Sequence, residues 1–258
     1  VAKSYLAILK HAALAPIYLY QAKQVRKSAL RLPEPKGERQ GTLVIDSSLP
    51  TVQMLNLMVV GDSSAAGVGC ELQTEGLAQN LVNQLQAKLV NNNDRHDYHA
   101  IRWSLNAKSG DSSFDLLRRL FIMPKQSVEV MVICIGVNDV TKNISKLQWQ
   151  KNINEIVAIS QRKFGARFII FSSLPPMKDM PALPAPLNQL LGNKAQQLDT
   201  ELQQICESKN GVYYFAPKLT DKQALSTMFA TDGFHPSPKA YDVWAAALAK
   251  TIFQQLAE

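Results

Sequence analysis

Two short stretches, far apart in the chain, carry the parts of an activated nucleophile. The first is Gly61-Asp62-Ser63-Ser64-Ala65-Ala66-Gly67-Val68-Gly69, directly after the apolar run Leu55-Asn56-Leu57-Met58-Val59-Val60. The second is Thr231-Asp232-Gly233-Phe234-His235-Pro236-Ser237, where an acid and an imidazole stand three residues apart. A serine hydroxyl is a weak nucleophile until a base takes its proton, and an imidazole oriented by a carboxylate is such a base. Asp232 is placed to reach one ring nitrogen of His235 and fix its tautomer, while Pro236 restricts His235 to extended backbone. Either stretch alone is ordinary turn chemistry. Their coincidence points to catalysis.

The elements that would position them follow from hydrophobic pattern. Near-continuous apolar runs at 55–60, 99–105, 128–135, 166–173 and 211–215 read as strands. Between them, 76–90, 113–121, 147–164 and 187–207 show apolar residues at helical spacing, and 238–256 closes the chain the same way. Strands apolar on both faces and separated by helices argue a parallel sheet covered on both sides. The expected fold is therefore a three-layer α/β/α sandwich around a mostly parallel five-stranded sheet. Such a sheet brings the loops after its strands to one carboxyl edge, where open α/β sheets bind ligands. Four loops belong there: the one with Ser63, Asn106-Ala107-Lys108-Ser109-Gly110-Asp111-Ser112, Gly136-Val137-Asn138-Asp139, and Asp232 to His235. The segment 174–187, rich in proline, reads as a loop over the same edge and suggests a pocket for a short or medium acyl chain.

These four blocks, in this order, resemble the SGNH (GDSL) hydrolase family, and the resemblance covers roughly residues 55–258. It implies a flavodoxin-like fold and a serine esterase that needs no cofactor and no metal. Ser63 would be the nucleophile, His235 the general base and acid, and Asp232 its orienting carboxylate. The oxyanion hole would be the backbone N–H groups of Ser63 and Gly110 and the side-chain amide of Asn138. A glycine at 110 suits close approach of backbone to substrate, and an uncharged amide suits a developing oxyanion. The implied substrate is a small-molecule or lipid ester, carboxylic or thioester. The same residues would also serve acyl transfer to a hydroxyl acceptor, and a membrane-peripheral binding protein with a disabled site is a third reading. The Gly-x-Ser-x-Gly elbow of α/β-hydrolases is absent, because Ala65 stands where its last glycine would be. Asp62 and Asp139 read as structural acids bonding backbone groups in their own turns. Ser109 and Ser112 are the next candidate nucleophiles after Ser63, and Lys108 reads as solvated.

At 258 residues the chain can bury a sizeable core as one domain, and its 46% hydrophobic content excludes disorder for most of its length. The net charge of +7 is concentrated near the start. There Lys3, Lys10, Lys23, Arg26, Lys27, Arg31, Lys36 and Arg39 face only Glu34 and Glu38. No helix-turn-helix, zinc-finger or aromatic RNA-binding signature accompanies that charge, so no nucleic-acid partner is expected. Cys70, Cys134 and Cys206 form no CxxC pair and suggest neither a disulfide framework nor a zinc site. Their usage fits a reducing compartment, so a cytoplasmic location at or near the inner face of the membrane is expected. His11, His96 and His99 read as surface or edge residues without a metal role.

Residues 1–42 are expected to form an apolar and basic helical segment with a linker at 32–37, ahead of a hydrolase domain at 43–258. The stretch 5–20 is too short and too interrupted for a confident span of about 20 apolar residues. Its polar residues Lys3, Ser4, Lys10, His11 and Gln21 share one side at helical spacing. No cleavage site follows, so a secretory signal is not expected. Residues 1–31 therefore read as a contact with a membrane surface, or as a face packed on the hydrolase body or on a second subunit. Oligomeric state is not readable from the sequence.

Overall fold

The computed structural model describes residues 2–49, 53–91, 97–217 and 227–256, with side chains from residue 13 onward. In chain order the elements are α1 (Ala2–Ser28), β1 (Gln40–Val44), β2 (Met54–Gly61), α2 (Ser63–Ala66), α3 (Leu77–Val90) and β3 (Ala100–Ala107). Then come α4 (Ser113–Ile122), β4 (Val130–Cys134), α5 (Val137–Thr141), α6 (Lys146–Phe164), β5 (Phe168–Ser172), α7 (Leu187–Glu207), β6 (Val212–Phe215) and α8 (Pro238–Leu256). His96, and the side chains of Lys3, Ser4, Lys10 and His11, lie outside the described residues.

The sheet order is β1-β3-β2-β4-β5-β6, with every pairing parallel except β1 against β3. Alternation along the central strands explains why they read as unbroken apolar runs. Leu55, Leu57 and Val59 of β2 face one layer with α3 and α8, while Met58 and Val60 face the other with α4, α6 and α7. Both faces are buried, so both residue sets must be apolar.

The sheet has six strands where five are expected from the sequence. The additional one, β1, is Gln-Gly-Thr-Leu-Val, half exposed along its length. An edge strand with one face open to solvent needs little hydrophobicity, and this one packs only Leu43 against the core and is fixed by its pairing, from Gln40↔Ser104 to Val44↔Ala100. It runs across position 43. The stretch before it, read as linker, is docked: Pro35 is buried, Lys36 N–H donates to Glu71 O at 3.0 Å, and Gln73 N–H donates to Lys36 O at 2.8 Å. Helix α1 also continues past Tyr20 to Ser28 and accommodates Pro16, so Lys23, Arg26 and Lys27 are helical. Taken over its whole length its polarity is segregated along the axis rather than around it.

Strand β2 lies between β3 and β4, so the chain leaves it first to one side and later to the other. That makes the carboxyl end of β2 the topological switch point, where a crevice opens between diverging loops. Gly61 ends the strand there with φ +154°, and a Cβ at this position would lie 1.9 Å from Cys134 O. A conformation that L-residues rarely adopt costs about 1–3 kcal/mol, before the clash with β4. Gly61→Ala is therefore expected to lower the unfolding free energy by at least that amount, read from denaturant titration. A variant as stable as wild type would show that β2 and β4 can separate locally at low cost.

Candidate active site

The register of the sheet sets the site. Gly61 pairs with Ala107 of β3 and with Cys134 of β4, so the three strands end at one level. The ladder continues one step further: Asp62 N–H donates to Cys134 O at 3.1 Å, and Lys108 N–H donates to Gly61 O at 3.2 Å. Ser63, Gly110 and Asn138 therefore leave the sheet from the same edge.

Ser63 is the first residue of α2, and its N–H is one of those the helix cannot satisfy internally. Asp62 caps this helix: its Oδ1 accepts from Ser64 N–H at 3.0 Å and from Ser64 Oγ–H at 2.8 Å. Its side chain is buried, and burial pushes its carboxyl up to about 6 despite the Ser64 donors.

The turn before α8 is organised by Asp232. Its Oδ1 accepts from the N–H groups of Phe234 at 2.9 Å and His235 at 3.0 Å. Its Oδ2 lies 2.5 Å from His235 Nδ1. His235 Nε2 lies 2.9 Å from Ser63 Oγ. Burial acts to raise the Asp232 carboxyl, but the hydrogen bonds from His235 and from the two backbone N–H groups outweigh it and hold the carboxyl below its usual value. An ionised Asp232 fixes a proton on Nδ1, which leaves Nε2 free to accept the serine proton. The three residues singled out at the two ends of the sequence thus stand in one hydrogen-bonded line. Ser237 caps α8 through Ala240 N–H at 3.2 Å.

Gly110 and Asn138 stand on different loops that one hydrogen bond ties together. Asn138 Nδ2 donates to Asp111 O at 3.0 Å, which occupies one of its two amide hydrogens. Gly110 has φ +86°, and nothing lies within 4 Å of where its Cβ would be. Glycine is needed here for its backbone conformation, with open space beside it. Ser109 and Ser112 are engaged elsewhere: Ser109 Oγ donates to Glu34 at 2.7 Å and Ser112 Oγ to Asp115 at 2.6 Å. Lys108 is exposed.

Several supporting residues were not read from the sequence. Arg119 of α4 gathers two strand ends and a loop: Nη1 donates to Asn106 O at 2.7 Å, Nη2 donates to Gly61 O at 2.9 Å and pairs with Asp111 at 2.7 Å. Asp139 was expected to bond within its own turn. Instead its carboxylate accepts from Ser113 N–H at 2.9 Å and from Ser113 Oγ–H at 2.5 Å, capping α4 from another loop. Asn152 Nδ2 donates to the same Ser113 Oγ at 2.8 Å. Only the capping preference of Asp and Ser hinted at this; the pairing itself is tertiary.

Beside Ser63 and His235 opens an apolar cavity of about 370 Å³, walled by Leu174, Pro176 and Met180 on one side and by Phe229, Val243 and Trp244 on the other. The first half of the 174–187 loop forms that wall. The second half braces the histidine turn, through Ala182 N–H donating to Gly233 O at 3.1 Å. Among the described residues no cluster of His, Cys, Asp and Glu is arranged to hold a metal ion. His99 sits at the sheet edge with Nδ1 2.8 Å from Asp46 O. Cys70, Cys134 and Cys206 are free and buried.

Residues 59–243 match the GDSL-like Lipase/Acylhydrolase family. No curated protein matches the chain. Among solved structures, the psychrotrophic esterase EstA from Pseudoalteromonas sp. is similar at 22% identity and TM-score 0.55, over 79% of this chain and 100% of that one. The acetylxylan esterase Axe2 from Geobacillus stearothermophilus is similar at 18% identity and TM-score 0.53, over 81% and 96%. The carbohydrate acetylesterase Est24 from Sinorhizobium meliloti is similar at 13% identity and TM-score 0.54, over 78% and 99%. At these identities the likeness establishes the fold.

Asp62 supplies a test of the site's electrostatics. Its carboxyl moves from 3.8 to about 6 on burial, so the folded chain holds that proton more tightly than the unfolded one. The associated stability is complete below the unfolded value and is lost as pH rises through about 6. Asp62→Asn keeps an oxygen acceptor for the Ser64 donors without a charge. The stability of the variant relative to wild type is expected to rise between about pH 4 and about pH 8, by at most about 3 kcal/mol. A difference that stays flat or falls would show that the Ser64 hydrogen bonds outweigh burial.

Proposed function

Because the chain belongs to the GDSL-like lipase/acylhydrolase family, we propose that it is a serine esterase that hydrolyses carboxylic esters through an acyl-enzyme on Ser63. The observation that carries this reading is the relay from Asp232 through His235 to Ser63, with contacts of 2.5 and 2.9 Å. As Ser63 Oγ attacks the ester carbonyl, its proton passes to His235 Nε2, and Asp232 stabilises the imidazolium that forms. The carbonyl oxygen gains charge and accepts hydrogen bonds from the N–H groups of Ser63 and Gly110 and from the remaining amide hydrogen of Asn138. Collapse of the tetrahedral intermediate breaks the ester C–O bond, and the leaving alcohol takes the proton from Nε2. Water then attacks the acyl-enzyme by the same path, releasing the acid and restoring Ser63.

The acyl part of the substrate occupies the apolar cavity, whose volume of about 370 Å³ is at the lower end of ligand pockets in general. A buried methylene contributes about 0.8 kcal/mol, which is roughly fourfold in kcat/KM per added carbon. Medium-chain acyl esters are therefore favoured over acetyl esters.

The N-terminal helix supports a second element of the proposal, a seat on an anionic lipid surface. Ile17, Leu19 and Tyr20 are exposed, the exposed Lys23, Arg26, Lys27 and Arg31 follow, and residues 1–33 contain no acid. The helix end is docked on the body: Gln21 Nε2 donates to Ala185 O at 2.7 Å, Leu187 N–H donates to Gln21 Oε1 at 3.1 Å, and Val25 packs into the core. Among the described residues no helix is long and apolar enough to cross a membrane. Apolar groups followed by a basic collar suit an interfacial contact.

Ser63→Ala is expected to leave the fold intact, lower kcat by about 10³-fold or more, and abolish labelling by a fluorophosphonate. Retention of most of the rate would move the nucleophile elsewhere. On p-nitrophenyl esters from acetyl to decanoyl, kcat/KM is expected to climb and then level as the cavity fills. A maximum at acetyl would remove the acyl-pocket assignment.

For the lipid seat, full-length protein is expected to co-sediment with vesicles containing phosphatidylglycerol and not with pure phosphatidylcholine, and to be released by salt. Replacing Lys23, Arg26 and Lys27 together by Glu should weaken binding on the order of 100-fold or more, at about 1 kcal/mol per basic residue. Activity on a soluble ester should be unchanged. Wild-type protein that ignores both vesicles, or a triple variant that binds as well as wild type, would end this reading.

A further inference from the structure

We propose that Glu34, outside the family-matched region, is a positioning residue that holds the Gly110 N–H in the orientation needed to stabilise the oxyanion. The inference rests on the assignment of Gly110 as an oxyanion donor.

The Glu34 carboxylate grips the residue just before Gly110. Its Oε1 accepts from Ser109 N–H at 2.8 Å and from Ser109 Oγ–H at 2.7 Å. Its Oε2 accepts from Arg39 Nη1 at 2.8 Å, and Arg39 Nη2 donates to Ala107 O at 2.6 Å. The Glu34–Arg39 pair thus clasps Ala107 and Ser109 together, from the last residue of β3 to the threshold of Gly110. Burial acts against charge on Glu34, but the Ser109 and Arg39 contacts prevail and keep the carboxyl below its usual value. It is an ionised acceptor at neutral pH.

The loop needs such a hold because its middle is exposed, with only the turn bond from Asp111 N–H to Lys108 O spanning it. Ser109 and Gly110 are exposed, and the Cβ direction of Gly110 opens onto empty space. The peptide between Ser109 and Gly110 turns about two torsions, one of them at a glycine that tolerates both signs of φ. Flipping it would direct the Ser109 carbonyl, rather than the Gly110 N–H, toward the substrate oxygen. Beyond Gly110 the chain is fixed by Lys142 Nζ, which donates to Gly110 O at 3.2 Å, and by the Arg119 pair with Asp111. Before it, Glu34 is the anionic group that fixes the Ser109 end. Glu34 is itself anchored: Pro35 is buried, and Gln73 Nε2 donates to Ala66 O of α2 at 3.0 Å and to Pro35 O at 3.4 Å. One short segment therefore ties the loop of Gly110 to the helix that begins at Ser63.

A partly exposed ion pair contributes little to global stability, so a positioning role and a structural one separate cleanly. In the full-length protein Glu34→Ala is expected to lower kcat roughly tenfold to a hundredfold, the scale of a small misplacement at a reacting centre. KM and the melting temperature should stay close to wild type. Inactivation by a p-nitrophenyl alkylphosphonate, whose anionic tetrahedral adduct uses the same donors, should slow in parallel. Glu34→Gln, which still offers an oxygen to Ser109, should restore most of the rate. Ser63→Ala is run beside these variants. If Ser63→Ala is inactive and Glu34→Ala keeps full kcat, or loses activity only as its melting temperature falls, the Glu34 inference is overturned and the esterase reading stands. If Ser63→Ala remains active, the esterase reading itself fails.

Discussion

Ser63 and His235 meet at 2.9 Å across 172 positions of sequence, and the proposed chemistry depends on keeping that one contact in place. The serine belongs to the sheet, because it follows β2 directly and Asp62 extends the ladder to β4. The histidine belongs to α8 and to the turn before it. What fixes the distance is the seam between the two. Tyr241 of α8, fully buried, donates its hydroxyl to Val68 O at 2.9 Å, just past the nucleophile helix. On the other side Ser237 N–H donates to Met228 O at 2.9 Å and Ala230 N–H donates to His235 O at 2.8 Å. A buried hydrogen bond in a tightly packed interface leaves few alternative positions. Alignment of the imidazole is thereby set by the seam with the core together with Asp232 in the turn.

Beneath the loops, buried charge is paired, although Arg119 Nε itself is buried without a partner. Arg119 binds carbonyls at the ends of β2 and β3 and the carboxylate of Asp111, and Asp139 holds the first turn of α4 through Ser113. Such groups would be costly to bury alone, while hydrogen-bonded to one another they rigidify what they touch. They touch the backbones of the three loops that matter. The order of the site is therefore bought by polar contacts lying one layer below it.

The central strands were legible because both faces are buried, so the sequence there is apolar without interruption. Edge strand β1 was not, since its place comes from pairing with β3 and its residues are half solvated. Ser63, Asp232 and His235 could be found because residue type and local spacing together matched the motif order of the family the chain belongs to. Asp139 was read as an acid serving its own turn, yet its partner Ser113 lies 26 positions away, and no local pattern encodes that. Arg119 and Glu34 escaped for the same reason. A charged residue on a helix or in a proline-flanked stretch looks like a solvated one until the fold shows what stands opposite.

The segment that composition marks as linker shows where local reading fails in physical terms. Proline and charge are frequent in linkers because such residues contribute no apolar surface to a core. They are equally suited to clasping an exposed loop, where the partners are backbone N–H and C=O groups and no apolar surface is available. Pro35 presets the chain direction and is buried, while the residues on either side of it, Glu34 and Lys36, bond to Ser109 and to the 71–73 turn respectively. The loops of Ser63 and Gly110 at this sheet edge are built of small and polar residues that offer little apolar surface to one another. Orientation must then be supplied from outside the sheet, by hydrogen bonds from a neighbouring strand of chain. That is the position the N-terminal segment occupies, between the loop of Gly110 and the helix of Ser63.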